Sequence, residues 1–212
     1  MSEKIVVIGA GITGLFTTLY LSRNGYDVTL IDRGDISGGT SGKFHGMLHS
    51  GSRYSTNDRE SAKDCIRENR KIYEMASGFI EDTGGHFIAL NEDEERFGDR
   101  IVEGNRSCGI ETSEIEPEKF LADMEPYINR NVRRVLKVPD KVIHSYEFSA
   151  AVAAESVLSG ARIYTYSDIK IKGDRSLSIP GTIFGLDTVA LTFFPLMSMN
   201  TSFPGFDESF FI

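Results

Sequence analysis

The chain is poor in three things, and each shortage removes a class of explanation. Its two cysteines, Cys65 and Cys108, are too few and too far apart for a disulfide framework or a thiolate metal site. They read as small buried apolar groups in a reducing compartment. Positive charge is also short: 23 Lys and Arg face 31 Asp and Glu, for a net charge of −8. The basic residues are scattered apart from short clusters such as Arg133-Arg134. Nothing there would neutralise a phosphate backbone, which argues against a nucleic-acid partner. The third shortage is a long apolar run. The most apolar stretch, 188–199, is too short to span a bilayer and contains Pro195. Met-Ser-Glu-Lys leads straight into a strand-like run without a signal-peptide pattern. A cytoplasmic protein is expected, with peripheral attachment to the cytoplasmic face of the membrane left open.

What the chain has is glycine at informative spacings. Residues 4–9, KIVVIG, form a short apolar run ending in glycine, as a buried parallel strand does. Residues 12–24 read as a helix with Gly25 as its stop, and 27–32 as a second strand. Strand, helix and strand within about thirty residues make a βαβ unit. Between the first strand and the helix lies Gly9-Ala10-Gly11-Ile12-Thr13-Gly14, a G-x-G-x-x-G run. Gly9 permits the sharp turn, Gly11 lets the backbone approach a pyrophosphate, and Gly14 lets helix and strand pack closely. The helix N-terminus, at Ile12 and Thr13, offers N–H groups to the anion. Asp32 follows about twenty residues on, where a carboxylate accepts hydrogen bonds from ribose hydroxyls. The fingerprint leaves FAD and NAD open, while Asp32 disfavours NADP because it would repel a 2′-phosphate.

Further along, residues 34–54 are rich in Gly, Ser and Thr and lack periodicity, and a loop of that length is usually functional or disordered. A helix is predicted over 58–76, capped near Thr56 or Asn57, with Ala62, Cys65, Ile66, Ile72, Tyr73 and Ala76 on one face. Strands are expected at 86–90, 132–138 and 162–166. Helices are expected at 92–107, with Phe97 and Ile101 inward, at 118–124, and at 146–158 with Gly160 as the stop. From residue 173 onward the charge falls away and no cap, alternation or amphipathic face can be picked out, although seven of the fourteen Phe lie there.

The run Gly38-Gly39-Thr40-Ser41-Gly42-Lys43-Phe44-His45-Gly46-Met47-Leu48-His49-Ser50-Gly51-Ser52-Arg53-Tyr54 resembles the flavin-contacting loop of the D-amino-acid-oxidase-like superfamily. More closely, His45 to Tyr54 and the helix opening Glu60-Ser61-Ala62 resemble the catalytic chain of anaerobic FAD-dependent glycerol-3-phosphate dehydrogenase. The match continues loosely through Glu125-Pro126 and Phe148 and ends near residue 170. Family members are considerably longer. The resemblance implies an α/β fold: a Rossmann-like FAD-binding domain with a parallel sheet (1–80 and 145–168) and part of an α+β substrate-side insertion (81–144). The remainder, 169–212, would be a divergent tail from a frameshift or truncation, or disordered.

It further implies FAD as cofactor, held by the fingerprint residues with Arg33, Gly39, Thr40, Ser41, His45, Gly46 and Leu48. Gly46 and Gly51 would let the flavin ring lie against the chain. Arg53 and Tyr54 would face the substrate, and a guanidinium can bind a phosphate dianion bidentately, as glycerol 3-phosphate requires. The implied reaction passes a hydride from C2 of glycerol 3-phosphate to flavin N5 and gives dihydroxyacetone phosphate, with electrons leaving through partner subunits. Two other readings stay open: an FAD enzyme acting on a 2-hydroxy acid or amine, and a non-catalytic nucleotide-binding remnant. His45 and His49 are spaced i, i+4, but the glycines between argue against a helix and no third metal ligand is near in sequence. A hydrogen-bonding role beside the flavin suits both, and His49 is a candidate for proton transfer from the substrate hydroxyl.

Overall fold

A computed structural model of the protein describes residues 3–123, 128–172, 176–179, 182–185 and 188–191. In chain order the elements begin β1 (Lys4–Ile8), α1 (Ile12–Arg23), β2 (Asp27–Ile31), β3 (Met47–Leu48) and α2 (Arg59–Ala76). Then come β4 (Ile80–Glu81), β5 (Gly85–Ala89), α3 (Glu92–Cys108), β6 (Ser113–Ile115), α4 (Pro117–Asp123), β7 (Arg134–Val138) and β8 (Lys141–Ile143). Last are α5 (Ser145–Leu158), β9 (Arg162–Tyr164), β10 (Lys170–Lys172), β11 (Ser176–Ile179), β12 (Thr182–Gly185) and β13 (Thr188–Leu191). Short 3₁₀ turns lie at Thr40–Gly42, Ser52–Tyr54 and Ser77–Phe79. The chain divides into two units, one formed by Met1–Lys43 with Ser149–Ile212 and the other by Phe44–Phe148.

The first unit holds a four-stranded sheet in the order β13-β1-β2-β9, parallel throughout. Val6, Val7, Val28, Leu30 and Ile31 are buried, so β1 and β2 are apolar runs covered on both faces, as parallel strands require. The chain runs from β1 outward through β2 to β9, then returns to the other side of β1 with β13. Strand order therefore reverses beside β1, which puts the crevice for a ligand at the carboxyl end of that strand. β10, β11 and β12 make a separate antiparallel meander.

The second unit is antiparallel, with sheets β3-β8-β4 and β5-β7-β6. Helices α2 and α3 bury Ala62, Ile66 and Cys108 together with Ile110. Asp58 caps α2 by accepting from Ser61 N–H at 3.1 Å, and Asn91 caps α3 by accepting from Glu94 N–H at 3.0 Å. The α/β architecture expected from the sequence is the one found, a parallel sheet plus an α+β unit.

Several local expectations are corrected. The cap of α2 is Asp58, not Thr56 or Asn57, because only its carboxylate reaches the Ser61 N–H and hydroxyl. Ile101 is buried, but Phe97 is 41% exposed and carries the Arg100 guanidinium 5.1 Å from its ring centroid. β9 stops at Tyr164, and Tyr166 turns out at φ 51° with its phenol donating to Asp35 Oδ2 at 3.1 Å. β4, β6 and β8 have two or three residues each, too few for alternation to show. Beyond residue 173, where the sequence shows no readable element, the backbone forms β11, β12 and β13. Met124, Glu125, Pro126 and the expected tail from residue 192 lie outside the described residues.

Candidate functional site

In the first unit the chain turns as soon as β1 ends. Gly9 sits at φ 110°, a left-handed conformation that suits glycine, and its N–H donates to Ile31 O at 2.9 Å. Gly11 precedes α1 with no side-chain cap, and the first turn holds no acidic residue. Thr13 and buried Gly14 therefore present backbone N–H groups at the positive end of the helix dipole. Ile12 N–H donates to Ser41 Oγ at 3.1 Å, which draws the 40–42 turn onto the helix start. A Cβ on Gly11 would lie 3.2 Å from that same oxygen, so glycine keeps this approach open. Gly39, Thr40 and Arg33 are exposed.

Asp32 braces this loop from the end of β2. Its Oδ2 accepts from Ala10 N–H at 2.6 Å and its Oδ1 from Gly34 N–H at 2.7 Å. Each oxygen keeps further acceptor capacity for a hydroxyl. Sequence reasoning missed Ser37, which is buried at φ 55°, donates its N–H to Ala10 O at 2.8 Å and bonds Ser149 Oγ at 2.7 Å. A Cβ on Gly42 would stand 2.3 Å from Ser37 O, so the Gly-Gly-Thr-Ser-Gly run was the available signal.

The second unit carries the histidine loop. Gly46, at φ 76°, accepts from Ile143 N–H at 2.7 Å through its carbonyl, and Leu48 pairs with Lys141 in the β3–β8 ladder. His45 Nδ1 accepts from Met47 N–H at 3.0 Å, and its ring meets that of His49 edge-on, centroids 5.1 Å apart. His49 Nδ1 lies 3.4 Å from Asp140 Oδ2, a carboxylate that sequence proximity could not supply. Gly51, at φ 85°, packs against α2: a Cβ there would fall 2.6 Å from Ala62 O and 2.7 Å from Cys65 Cβ. Its missing side chain makes room for a helix, which corrects the expectation that it makes room for a flavin ring.

The 52–54 turn alternates in burial for a reason. Ser52 and Ser55 are buried, and Asn105 Nδ2 donates to Ser52 Oγ and Thr112 Oγ1, both at 2.8 Å. Arg53 and Tyr54 between them are exposed, with the guanidinium 5.6 Å from the tyrosine ring centroid. Among the described residues Arg53 makes no ion pair, whereas Arg133 and Arg134 are held by Glu95, Asp99 and Glu114. Burial, with nearby acidic groups, pushes the Cys65 thiol up, so it is not an activated nucleophile. Among the described residues no group of three or more His, Cys, Asp or Glu is arranged to hold a metal ion.

The family profile described as DAO, FAD dependent oxidoreductase, matches residues 4–188. The chain belongs to that family. It is 40% identical over 168 residues to one of the anaerobic glycerol-3-phosphate dehydrogenase subunits of Haloferax volcanii, covering 79% of this chain and 28% of that protein. It is 35% identical over 170 residues to the corresponding anaerobic glycerol-3-phosphate dehydrogenase subunit of Haemophilus influenzae, covering 80% of this chain and 30% of that protein. The chain thus spans less than a third of the length of these curated relatives. Among solved structures it is similar to glycine oxidase from Geobacillus kaustophilus, with a TM-score of 0.72 and 20% identity over 90% of this chain and 55% of that one. It is also similar to L-α-glycerophosphate oxidase from Mycoplasma pneumoniae with FAD bound, with a TM-score of 0.66 and 19% identity over 90% of this chain and 52% of that one.

FAD is the cofactor of this DAO family, and the first unit fits such a group on its own geometry. The N–H groups of Thr13 and Gly14 at the start of α1, the left-handed Gly9 and the Asp32 carboxylate are what a pyrophosphate and a ribose need. The family profile runs to residue 188, past the point near 170 where the closer resemblance is lost. Besides Ser37, sequence reading overlooked Asn69, Asn105 and Asp140. Of these only Asp140, after Pro139 between two strands, carries a turn signal.

Proposed function

We propose that this chain is the front portion of an FAD-dependent dehydrogenase that oxidises glycerol 3-phosphate to dihydroxyacetone phosphate. The observation that carries the reading is the 40% identity, across 79% of this chain, to a protein named as part of a glycerol-3-phosphate dehydrogenase. Exposed Arg53, which makes no ion pair among the described residues, supports it, because a guanidinium left without a carboxylate there is available to a phosphate. FAD, when bound, supplies the acceptor for the C2 hydride of the alcohol.

The chain's own residues do the rest. Gly11, Thr13 and Gly14 offer backbone N–H groups to the pyrophosphate, Gly9 makes the turn that brings them there, Ile12 anchors Ser41 beside them, and Asp32 accepts from ribose hydroxyls. Gly39, Thr40, Ser41 and Arg33, with His45, Gly46 and Leu48, complete the cofactor contacts. Arg53 holds the substrate phosphate, Tyr54 stands beside it, and His49 takes the proton of the C2 hydroxyl. Electrons pass on to partner subunits, in keeping with the names of the relatives, at the cytoplasmic face of a membrane. Among the described residues no helix is long and apolar enough to cross one.

The test reconstitutes the chain with FAD and offers a dye acceptor with glycerol 3-phosphate, 2-hydroxyglutarate or amino acids. Only glycerol 3-phosphate should reduce the dye, and Arg53→Gln should raise KM by about ten- to a hundredfold. Turnover of a hydroxy acid instead would reassign the substrate. A flavin spectrum that no substrate bleaches would leave nucleotide binding alone.

A further inference from the structure

Asp140 sits in the second unit between β7 and β8, only 9% exposed, and its two oxygens have distinct partners. Oδ1 accepts from Ser50 N–H at 2.6 Å, while Oδ2 stands 3.4 Å from His49 Nδ1. The second distance is at the long end for a hydrogen bond, as catalytic pairs in unliganded sites commonly are. Adjacent residues of one strand-end segment thus share one buried carboxylate. Asn69, 1% exposed, fixes both sides of the contact with a single amide: Nδ2 donates to Leu48 O at 2.9 Å and to Pro139 O at 3.3 Å. These carbonyls belong to the residues immediately before His49 and Asp140. Gly85 leaves the space, since a Cβ there would lie 2.9 Å from Asp140 Cβ and 3.0 Å from Oδ2.

We propose that Asp140 is a positioning residue that holds His49 as the Nδ1–H tautomer, so that Nε2 carries the lone pair. The chemistry is direct. A carboxylate only accepts, so the ring nitrogen facing it must donate, and a neutral imidazole has one donor and one acceptor nitrogen. The His49 side chain keeps 30% of its exposure, so the ring is reachable by a small molecule. The inference rests on the reading of His49 as the group that takes the hydroxyl proton, and it adds why that ring is ready to accept one. Other titratable groups about the pair are His45, edge-on to His49, Cys65, whose thiol feels the Asp140 charge, and buried Lys141, whose ammonium donates to Pro139 O at 3.4 Å and pairs with Asp82 at 3.3 Å.

Ser50 makes the prediction sharp. Its N–H can only donate, so in Asp140→Asn the amide oxygen must take the Oδ1 position and the NH₂ must face His49. The ring would then have to accept at Nδ1 and carry its proton on Nε2. The full-length ¹⁵N-labelled chain is examined by long-range ¹H–¹⁵N correlation in alkaline buffer, where imidazole is neutral. His49 is assigned among the four histidines by its loss in His49→Gln. The expected result is Nδ1–H in the unsubstituted protein and Nε2–H in Asp140→Asn. An Nε2–H ring in the unsubstituted protein overturns the proposal even if the variant does not fold, and so does an unchanged tautomer in a folded variant. Dye reduction by glycerol 3-phosphate is scored separately: its absence would undo the reading of His49 as a base and leave the tautomer result standing.

Discussion

In the first unit the loop after β1 is shaped by what its residues lack. Gly9 turns where a side chain would strain, Gly11 keeps Ser41 close and gives α1 no cap of its own, and among the described residues Asp32 is the one long polar side chain that braces it. In the second unit the corresponding work is done by long polar side chains. Asp140 holds Ser50 and His49, Asn69 holds Leu48 and Pro139, and Asn105 holds Ser52 and Thr112. A backbone-built site is tolerant of its surroundings but intolerant of any added atom. A site built from buried amides and carboxylates depends on partners far away in the chain, and fails when one is removed.

Three changes would break or sharpen that contrast. The largest effect is expected where the second unit borrows the first unit's device. Gly51→Ala puts a methyl into Ala62 O at a left-handed φ and should cost about 3 kcal/mol, read as faster amide exchange throughout α2. Next, Asn105→Ala should cost about 2 kcal/mol by leaving the Ser52 and Thr112 hydroxyls without a buried partner. The matching deletion in the first unit, Ser41→Ala, should cost less than about 1 kcal/mol, because it removes one bond at a helix start. Equal losses in the two variants would end the distinction.

The smallest effect concerns pH. Burial, followed by the Lys137 charge, holds the His86 imidazole below its ordinary value of 6.5. The unfolded chain therefore binds the proton more readily, so stability should fall as pH drops through about 6.5 and level off below the folded value. His86→Gln should flatten that slope in urea unfolding followed against pH, and an unchanged slope would assign it elsewhere.

The same contrast governs what could be read in advance. The βαβ unit, the glycine fingerprint and Asp32 are local: their spacing follows from one strand, one turn and one helix, so sequence alone exposes them. The long helices α2 and α3 are legible from their apolar faces. Asp140 is invisible beside His49 because ninety-one positions separate them, and Asn69 reads as a polar break in an apolar stripe until its two carbonyl partners are seen. Phe97 reads as inward because periodicity gives a face and not its width. The strands after residue 173 carry no pattern of their own: β11 and β12 are defined by pairing in a local meander with β10, and β13 by its distant partner β1.

That last pairing has a consequence for how the molecule is made. Ile5 lies beside Thr188, and the whole of Phe44–Phe148 is translated between them. At ribosomal speeds β1 emerges on the order of ten seconds before its neighbour β13 exists. For that interval one flank of the first-made strand is an open, apolar edge of the kind that recruits wrong partners. The second unit, contiguous in the chain, can finish folding in the meantime. The first unit thus gains β13 only after the second unit has been made, and it is in this waiting period that a chaperone would most change the yield of correctly folded chain.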